Sequence, residues 1–157
     1  MTDSAPFRVA INGYGRIGQC VLRALYENGF RDHLQVVAIN ELSDIDTIAH
    51  LTKYDSTHGR FHGEVAVDGD NLVVNGDRIR VLRHPEPEEL PWRLLDVDLV
   101  LECSGAYSDR ATAEKHIEAG ARRLLFSQPG DPDVDRTVVF GINDGDLNGQ
   151  DVIVAAG

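Results

Sequence analysis

At 157 residues, 42% of them hydrophobic, the chain is long enough for one domain with a substantial core. Lys and Arg number 15 against 26 Asp and Glu, and the resulting formal charge of -11 repels phosphate backbones and anionic lipid, which argues against nucleic-acid and membrane partners. Two cysteines, no basic-apolar-small leader and no apolar run near about 18 residues point to a reducing compartment, read as the cytoplasm.

The first predicted elements are two short β-branched runs, Phe7–Asn12 (FRVAIN) and Gln35–Asn40 (QVVAIN). Between them Arg16–Asn28 sets Ile17, Cys20, Val21, Ala24 and Leu25 at helical spacing, which makes a βαβ unit with Gly29 suited to the left-handed position after the helix. Ser43 is expected to cap a second helix running to Lys53, with Asp46 three residues on as a weaker capping-box acid. From Tyr54 to Trp92 the pattern changes. Asp68-Gly69 and Asn75-Gly76 are hairpin-turn dipeptides between short strands, so an antiparallel insertion or edge is expected around residues 60–83. Strand signals resume at Asp98–Cys103, Arg123–Ser127, Thr137–Gly141 and Asp151–Ala155, with a helix near Asp109–Ala119 stopped by Gly120. Strands alternating with helical crossovers, several of them apolar across their full width, predict an α/β, doubly wound, mostly parallel sheet covered on both faces, the Rossmann class, as one domain over residues 1–157.

Gly13-Tyr14-Gly15-Arg16-Ile17-Gly18 is a G-x-G-x-x-G that follows a predicted strand and opens a predicted helix. Gly13 permits the tight turn, Gly15 lets a pyrophosphate approach the backbone, and Gly18 lets helix and strand pack closely, while the helix N-terminus offers N–H groups to the anion. The acid that such sites use arrives 23 residues after Gly18 as Glu41, just past the second strand. Its carboxylate can accept from an adenosine ribose hydroxyl and would repel a 2'-phosphate, which predicts NAD rather than NADP. A plain strand-to-helix turn with a solvated surface acid is the alternative; strand, helix and acid together favour dinucleotide binding.

Cys103 ends a sheet strand, where doubly wound folds place their chemistry, yet the pattern DLVLEC reads as core packing and Ser104-Gly105 as a crossing point where backbone approaches a cofactor. Cys20 falls on the apolar face expected of the first helix and reads as structural. His58 and His62 have i,i+4 spacing without a Glu or Cys partner, so no metal site is expected. Trp92, beside Pro91, reads as an anchor of its loop onto the core. Ser127-Gln128-Pro129-Gly130 closes a sheet strand at its carboxyl edge; periodicity leaves a simple turn and a ligand-facing hydroxyl both open.

RVAINGYGRIGQCVLRALYENG, followed by VVAINEL, KYDSTHGRF, LPW, ECSGAY and HIEAGARRLLFSQPG, resembles the glyceraldehyde-3-phosphate dehydrogenase superfamily over nearly the whole chain. Within it, INEL at Ile39–Leu42 and LLFSQPG at Leu124–Gly130 look more like the erythrose-4-phosphate dehydrogenase branch than the glycolytic one. The resemblance implies that Asn12, Gly13, Arg16 and Ile17 hold the pyrophosphate side, Glu41 the adenosine ribose, and Ser104, Gly105 and Ser127 the nicotinamide end, with Arg83 near the adenine region. It also implies an enzyme in which a cysteine thiolate attacks the aldehyde of a sugar phosphate and hydride passes to NAD, usually as a homotetramer. In that branch water resolves the thioester to 4-phosphoerythronate, on the route to pyridoxal phosphate; in the glycolytic branch inorganic phosphate does. The family nucleophile sits in a Ser-Asn-Ala-Ser-Cys-Thr-Thr-Asn block, and in that register Gly157 falls one residue short of the residue before the cysteine. These residues are therefore expected to be a cofactor domain without turnover of its own, with an exposed apolar patch where the catalytic domain would pack. The competing reading is a non-enzymatic nucleotide-binding module.

Overall fold

The computed structural model describes residues 6–55, 59–138, 142–143, 145, 147 and 149–156. Strand β1 (Phe7–Asn12), helix α1 (Arg16–Glu27) and strand β2 (Leu34–Asn40) form the first crossover, and helix α2 (Ile45–Lys53) follows. A two-stranded clip, β3 (Tyr54–Asp55) with β4 (Gly59–Arg60), precedes the meander β5 (Val65–Asp68), β6 (Asn71–Val74) and β7 (Asp77–Leu82). Then come β8 (Leu99–Glu102), α3 (Arg110–Glu118), β9 (Arg123–Phe126), β10 (Arg136–Val138) and β11 (Ile153–Ala156). All but the clip join one nine-stranded sheet in the order β10-β11-β9-β8-β1-β2-β7-β6-β5.

Every pairing from β10 through to β7 is parallel, and only β5–β6 and β6–β7 are antiparallel. The expected insertion is thus present, but its last strand is also a member of the parallel core through β2. Asp68-Gly69 does turn β5 into β6, and Asn75-Gly76 adopts positive φ at both positions, 50° and 86°, as a tight hairpin requires. The strand expected at Thr137–Gly141 begins at Arg136 and runs to Val138, and residues 139–141 lie outside the described residues.

Two expectations need correction. The buried side of α1 is Gly18, Leu22, Arg23 and Leu25, so of the expected stripe only Leu25 is buried; Cys20 and Val21 are half-buried, and Ile17 and Ala24 are exposed. A long helix with apolar residues on two faces lets the sheet choose one, and Leu22, fully buried on Ile11 and Ile39, contributes roughly 1.5–3 kcal/mol that Ile17 does not. The cap of α2 is Asp44, whose carboxylate accepts from the Thr47 N–H at 2.8 Å; Ser43 donates to Glu41 instead.

Alternation along the strands divides the core in two. Ile11, Ile39, Leu22, Ile48 and Leu72 lie on the side of α1 and α2, whereas Ala10, Val100, Leu124, Phe126 and Trp92 lie on the side of α3. Among the described residues no helix lies over β8, β9 and β11 on the α1 side, where Leu99, Leu125, Val154 and Leu147 line an open groove of about 420 Å³. No helix among the described residues is long and apolar enough to cross a membrane.

Candidate functional site

Strand order reverses between β1 and β8, since β1 leads outward to β2 and β7 while β8 leads to β9 and β11. At such a switch point the loops leaving adjacent strand ends part in opposite directions and open a crevice at the carboxyl edge. Here it is a cleft of about 220 Å³ lined by Asn12, Gly13, Asn40, Glu41, His84 and Ser104, among others.

Each glycine of the loop has its own geometry. Gly13 has φ +91°, and a Cβ on it would stand 2.5 Å from the Cα of Ser104, so the loops leaving β1 and β8 cross here at a separation only glycine allows. Gly18 lies against the backbone of the same loop, where a Cβ would meet the Gly13 carbonyl at 2.6 Å and the Ile11 side chain at 3.2 Å. Gly15 faces open space and occupies the N-cap of α1 without a capping side chain. The first turn of α1 carries no acid and begins instead with exposed Arg16, which forms no ion pair among the described residues. A cation at the positive end of a helix is electrostatically unfavourable by itself; the same arrangement, with free N–H groups and open space above Gly15, favours an anion.

Glu41 leaves the end of β2 with its backbone N–H bonded to the Leu82 carbonyl. Its Oε1 accepts from the Tyr14 N–H at 2.9 Å, and Oε2 accepts from the Ser43 N–H at 3.1 Å and the Ser43 hydroxyl at 3.0 Å. Burial pushes this carboxyl up, but the donors from Tyr14 and Ser43 outweigh it and hold it below its ordinary value. The acid is therefore ionised and fixed, tied to the Gly-rich loop it serves. Tyr14 is in turn pinned under the loop by a 2.6 Å hydrogen bond between its hydroxyl and Thr52 on α2.

Beneath the crevice runs a chain of buried polar groups that sequence reasoning missed. Glu102, the last residue of β8, is 1% exposed, and its carboxylate takes four donors: Asn12 Nδ2 at 2.7 Å, His116 Nε2 at 3.2 Å, the Ser104 N–H at 3.0 Å and the Ser104 hydroxyl. Asn12, last of β1, accepts at Oδ1 from Asn40 Nδ2 at 2.7 Å; Asn40, last of β2, pairs with both the N–H and the carbonyl of His84 beyond β7. At the other end the Trp92 indole N–H donates to His116 Nδ1 at 3.0 Å, which places the imidazole proton on Nε2, pointing at Glu102. The signal for part of this lay in the repeated VAIN strings, whose asparagines fall opposite one another in the β1–β2 register. Burial raises the Glu102 carboxyl, and the bonds from His116, Ser104 and Asn12 more than reverse it.

The crevice gathers Asn12, Gly13, Glu41 and Ser104 of the residues singled out from sequence. Gly15, Arg16 and Ile17 stand at the start of α1, and Gly18 is buried beneath it. Gly105, with φ +73°, and Ser127 lie on the β8–β9 side; the Ser127 N–H bonds to the Glu102 carbonyl, and its side chain hydrogen-bonds Cys103. Arg83 is exposed and donates to the Leu42 carbonyl at 2.8 Å, at the outer end of the Glu41 loop. Both polar atoms of the Asn12 side chain are engaged in the buried chain. Cys103 is buried, and desolvation pushes its thiol up to about 11, so it packs and does not react. Cys20, half-buried, lines a separate groove on α1 with Arg23 and Glu27. No cluster of metal-ligating side chains occurs among the described residues, and His58 lies outside them.

Residues 7–110 match the family model described as glyceraldehyde 3-phosphate dehydrogenase, NAD binding domain. Over 148 residues, 94% of its length, the chain is 54% identical to the plasmid glyceraldehyde-3-phosphate dehydrogenase of Cupriavidus necator and 53% identical to the chromosomal one. It spans 44% of each of these relatives, less than half their length.

Proposed function

This chain belongs to the glyceraldehyde 3-phosphate dehydrogenase family, with the NAD-binding domain of that family, and from this we propose that it serves as the cofactor-holding part of an NAD-dependent dehydrogenase acting on the aldehyde of a sugar phosphate. The observation that carries the reading is the pairing of an uncapped, acid-free α1 N-terminus under open space with a clamped, ionised Glu41 one strand away. Those residues fit a dinucleotide: N–H groups of α1 and Arg16 for the pyrophosphate, the Glu41 carboxylate for the adenosine ribose, Arg83 beside it, and Ser104, Gly105 and Ser127 on the far side of β1 for the nicotinamide. The bound dinucleotide supplies the hydride acceptor.

Neither of the two cysteines suits covalent catalysis, Cys103 because its thiol is buried and protonated and Cys20 because it lies on the far side of α1. These residues bind and orient cofactor, and the covalent step is not theirs. The names of the relatives favour glyceraldehyde 3-phosphate as the substrate of the whole enzyme. Erythrose 4-phosphate is a second reading, favoured by the strings at Ile39–Leu42 and Leu124–Gly130.

Calorimetric titration tests the cofactor role. Saturable NAD binding, clearly tighter than NADP and weakened about tenfold or more in Glu41→Ala, is expected. Absence of binding by either dinucleotide overturns it. Turnover with the two aldehydes separates the substrate readings in the full-length enzyme.

A further inference from the structure

No Lys or Arg among the described residues pairs with the Glu102 carboxylate. Among the described residues its only ion-pairing neighbour is His116, and the Trp92 N–H, which can only donate, leaves that ring uncharged with its proton on Nε2. Four donors fill the four lone-pair positions of the carboxylate, so the charge is held by hydrogen bonds and not by a cation. The Ser104 hydroxyl is oriented by the same arrangement. It donates down to Glu102 and accepts from the Ala106 N–H at 3.2 Å, so what it offers the crevice is an acceptor lone pair.

The position of this charge relative to a dinucleotide follows from strand order. A dinucleotide lies across the switch point with one nucleotide over each half of the sheet. With the ribose acid Glu41 at the end of β2, the adenosine half lies over β2 and β7, and the other nucleotide lies over the ends of β8 and β9, where Glu102 and Ser104 stand.

We propose that Glu102 sets the redox preference of the nicotinamide half: the negative charge it fixes beneath the Ser104 hydroxyl makes the crevice prefer the oxidised, cationic nicotinamide over the reduced, neutral one. This rests on the cofactor reading above. A partly screened unit charge at close range shifts such a preference by about tenfold. A carboxylate present only to hold the loops together would shift both forms of the cofactor alike.

The test is titration of the chain with NAD+, NADH and ADP-ribose, in the wild type, Glu102→Gln and Ser104→Ala. ADP-ribose lacks the nicotinamide and reports the adenosine half by itself. Glu102→Gln is expected to keep ADP-ribose affinity within about twofold while the NAD+ to NADH affinity ratio falls about tenfold. Ser104→Ala, with the carboxylate still in place, is expected to weaken NAD+ and NADH together. An unchanged ratio in a Glu102→Gln protein that still binds ADP-ribose overturns the inference and leaves the cofactor reading intact. Failure of the wild type to bind ADP-ribose overturns the cofactor reading itself, and this inference with it. Should Glu102→Gln not fold, Ser104→Ala decides: a ratio that collapses there assigns the preference to the hydroxyl and overturns the role of Glu102.

Discussion

The Cα of Ser104 passes 2.5 Å from where a Cβ on Gly13 would stand, and at that crossing the first and second halves of the sheet meet. Gly13→Ala should destabilise the fold by about 2–5 kcal/mol, from positive-φ strain together with a backbone clash, and abolish cofactor binding. Gly15→Ala is the matched control. Gly15 has φ -81° and open space around it, so the substitution should cost under about 1 kcal/mol in urea unfolding yet weaken NAD binding by placing a methyl group in the proposed pyrophosphate site.

Acid should unfold this protein through a particular set of carboxyls. Glu41 and Glu102 lie below their ordinary 4.5, Asp77 is held below 3.8 by the Arg31 guanidinium, and Asp135 is down to about 2 through the Ile153 N–H and Arg110. A carboxyl with a depressed folded-state pKa stabilises fully above its unfolded value and loses that contribution as pH falls through the folded one. The melting temperature should therefore hold down to about pH 5 and fall from about pH 4.5 towards 2. Asp135→Asn should flatten the lowest part of that profile. A steady Tm across this range would contradict the assignment.

The Trp92–His116 hydrogen bond fixes the imidazole tautomer, and Trp92→Phe tests it with little change of shape. Loss of the donor leaves the buried His116 Nδ1 unsatisfied, at a cost of about 1–3 kcal/mol in chemical denaturation. In proton NMR of the wild type, a slowly exchanging His116 Nε2–H is the expected signature, and its loss or broadening should accompany the substitution.

The two thiols should separate cleanly by reactivity. Cys103, buried and raised to about 11, is expected to resist a thiol reagent until the protein unfolds, whereas half-buried Cys20 reacts in the native state. Mass spectrometry after brief labelling at pH 8 should find one adduct, on the peptide containing Cys20. Native-state labelling of Cys103 at a comparable rate would contradict its packing.

Periodicity and turn chemistry made most of the architecture legible. The strand–Gly loop–helix–strand unit, the Asp-Gly and Asn-Gly hairpins and Glu41 at the end of β2 all follow from local rules, and the family match bears out the α/β class and NAD. The misses have physical causes. The expected stripe Ile17, Cys20, Val21, Ala24 and Leu25 shares only Leu25 with the buried side, because Leu22 beside it makes as plausible a face and only the sheet's position breaks the tie. Ser43 and Asp44 are both good capping residues, and the competition was settled by Glu41, which claims Ser43 from two residues away. Glu102 and His116 were invisible as partners because nothing in the spacing between β8 and α3 distinguishes a buried pair from two solvated side chains.

In the polar chain from His84 through Asn40 and Asn12 to Glu102, every side-chain nitrogen and oxygen of Asn40, Asn12 and Glu102 has a hydrogen-bond partner. Each member accepts what its neighbour donates, so changing one strands an atom on the next. In a combinatorial library that varies these positions one at a time, nearly every replacement should be lost, whereas paired replacements that exchange donor for acceptor, or remove both, should survive more often than the single losses imply. Rebuilding this cleft for another ligand therefore calls for redesign of Asn12, Asn40 and Glu102 as a unit, with the Gly-rich loop above them left untouched.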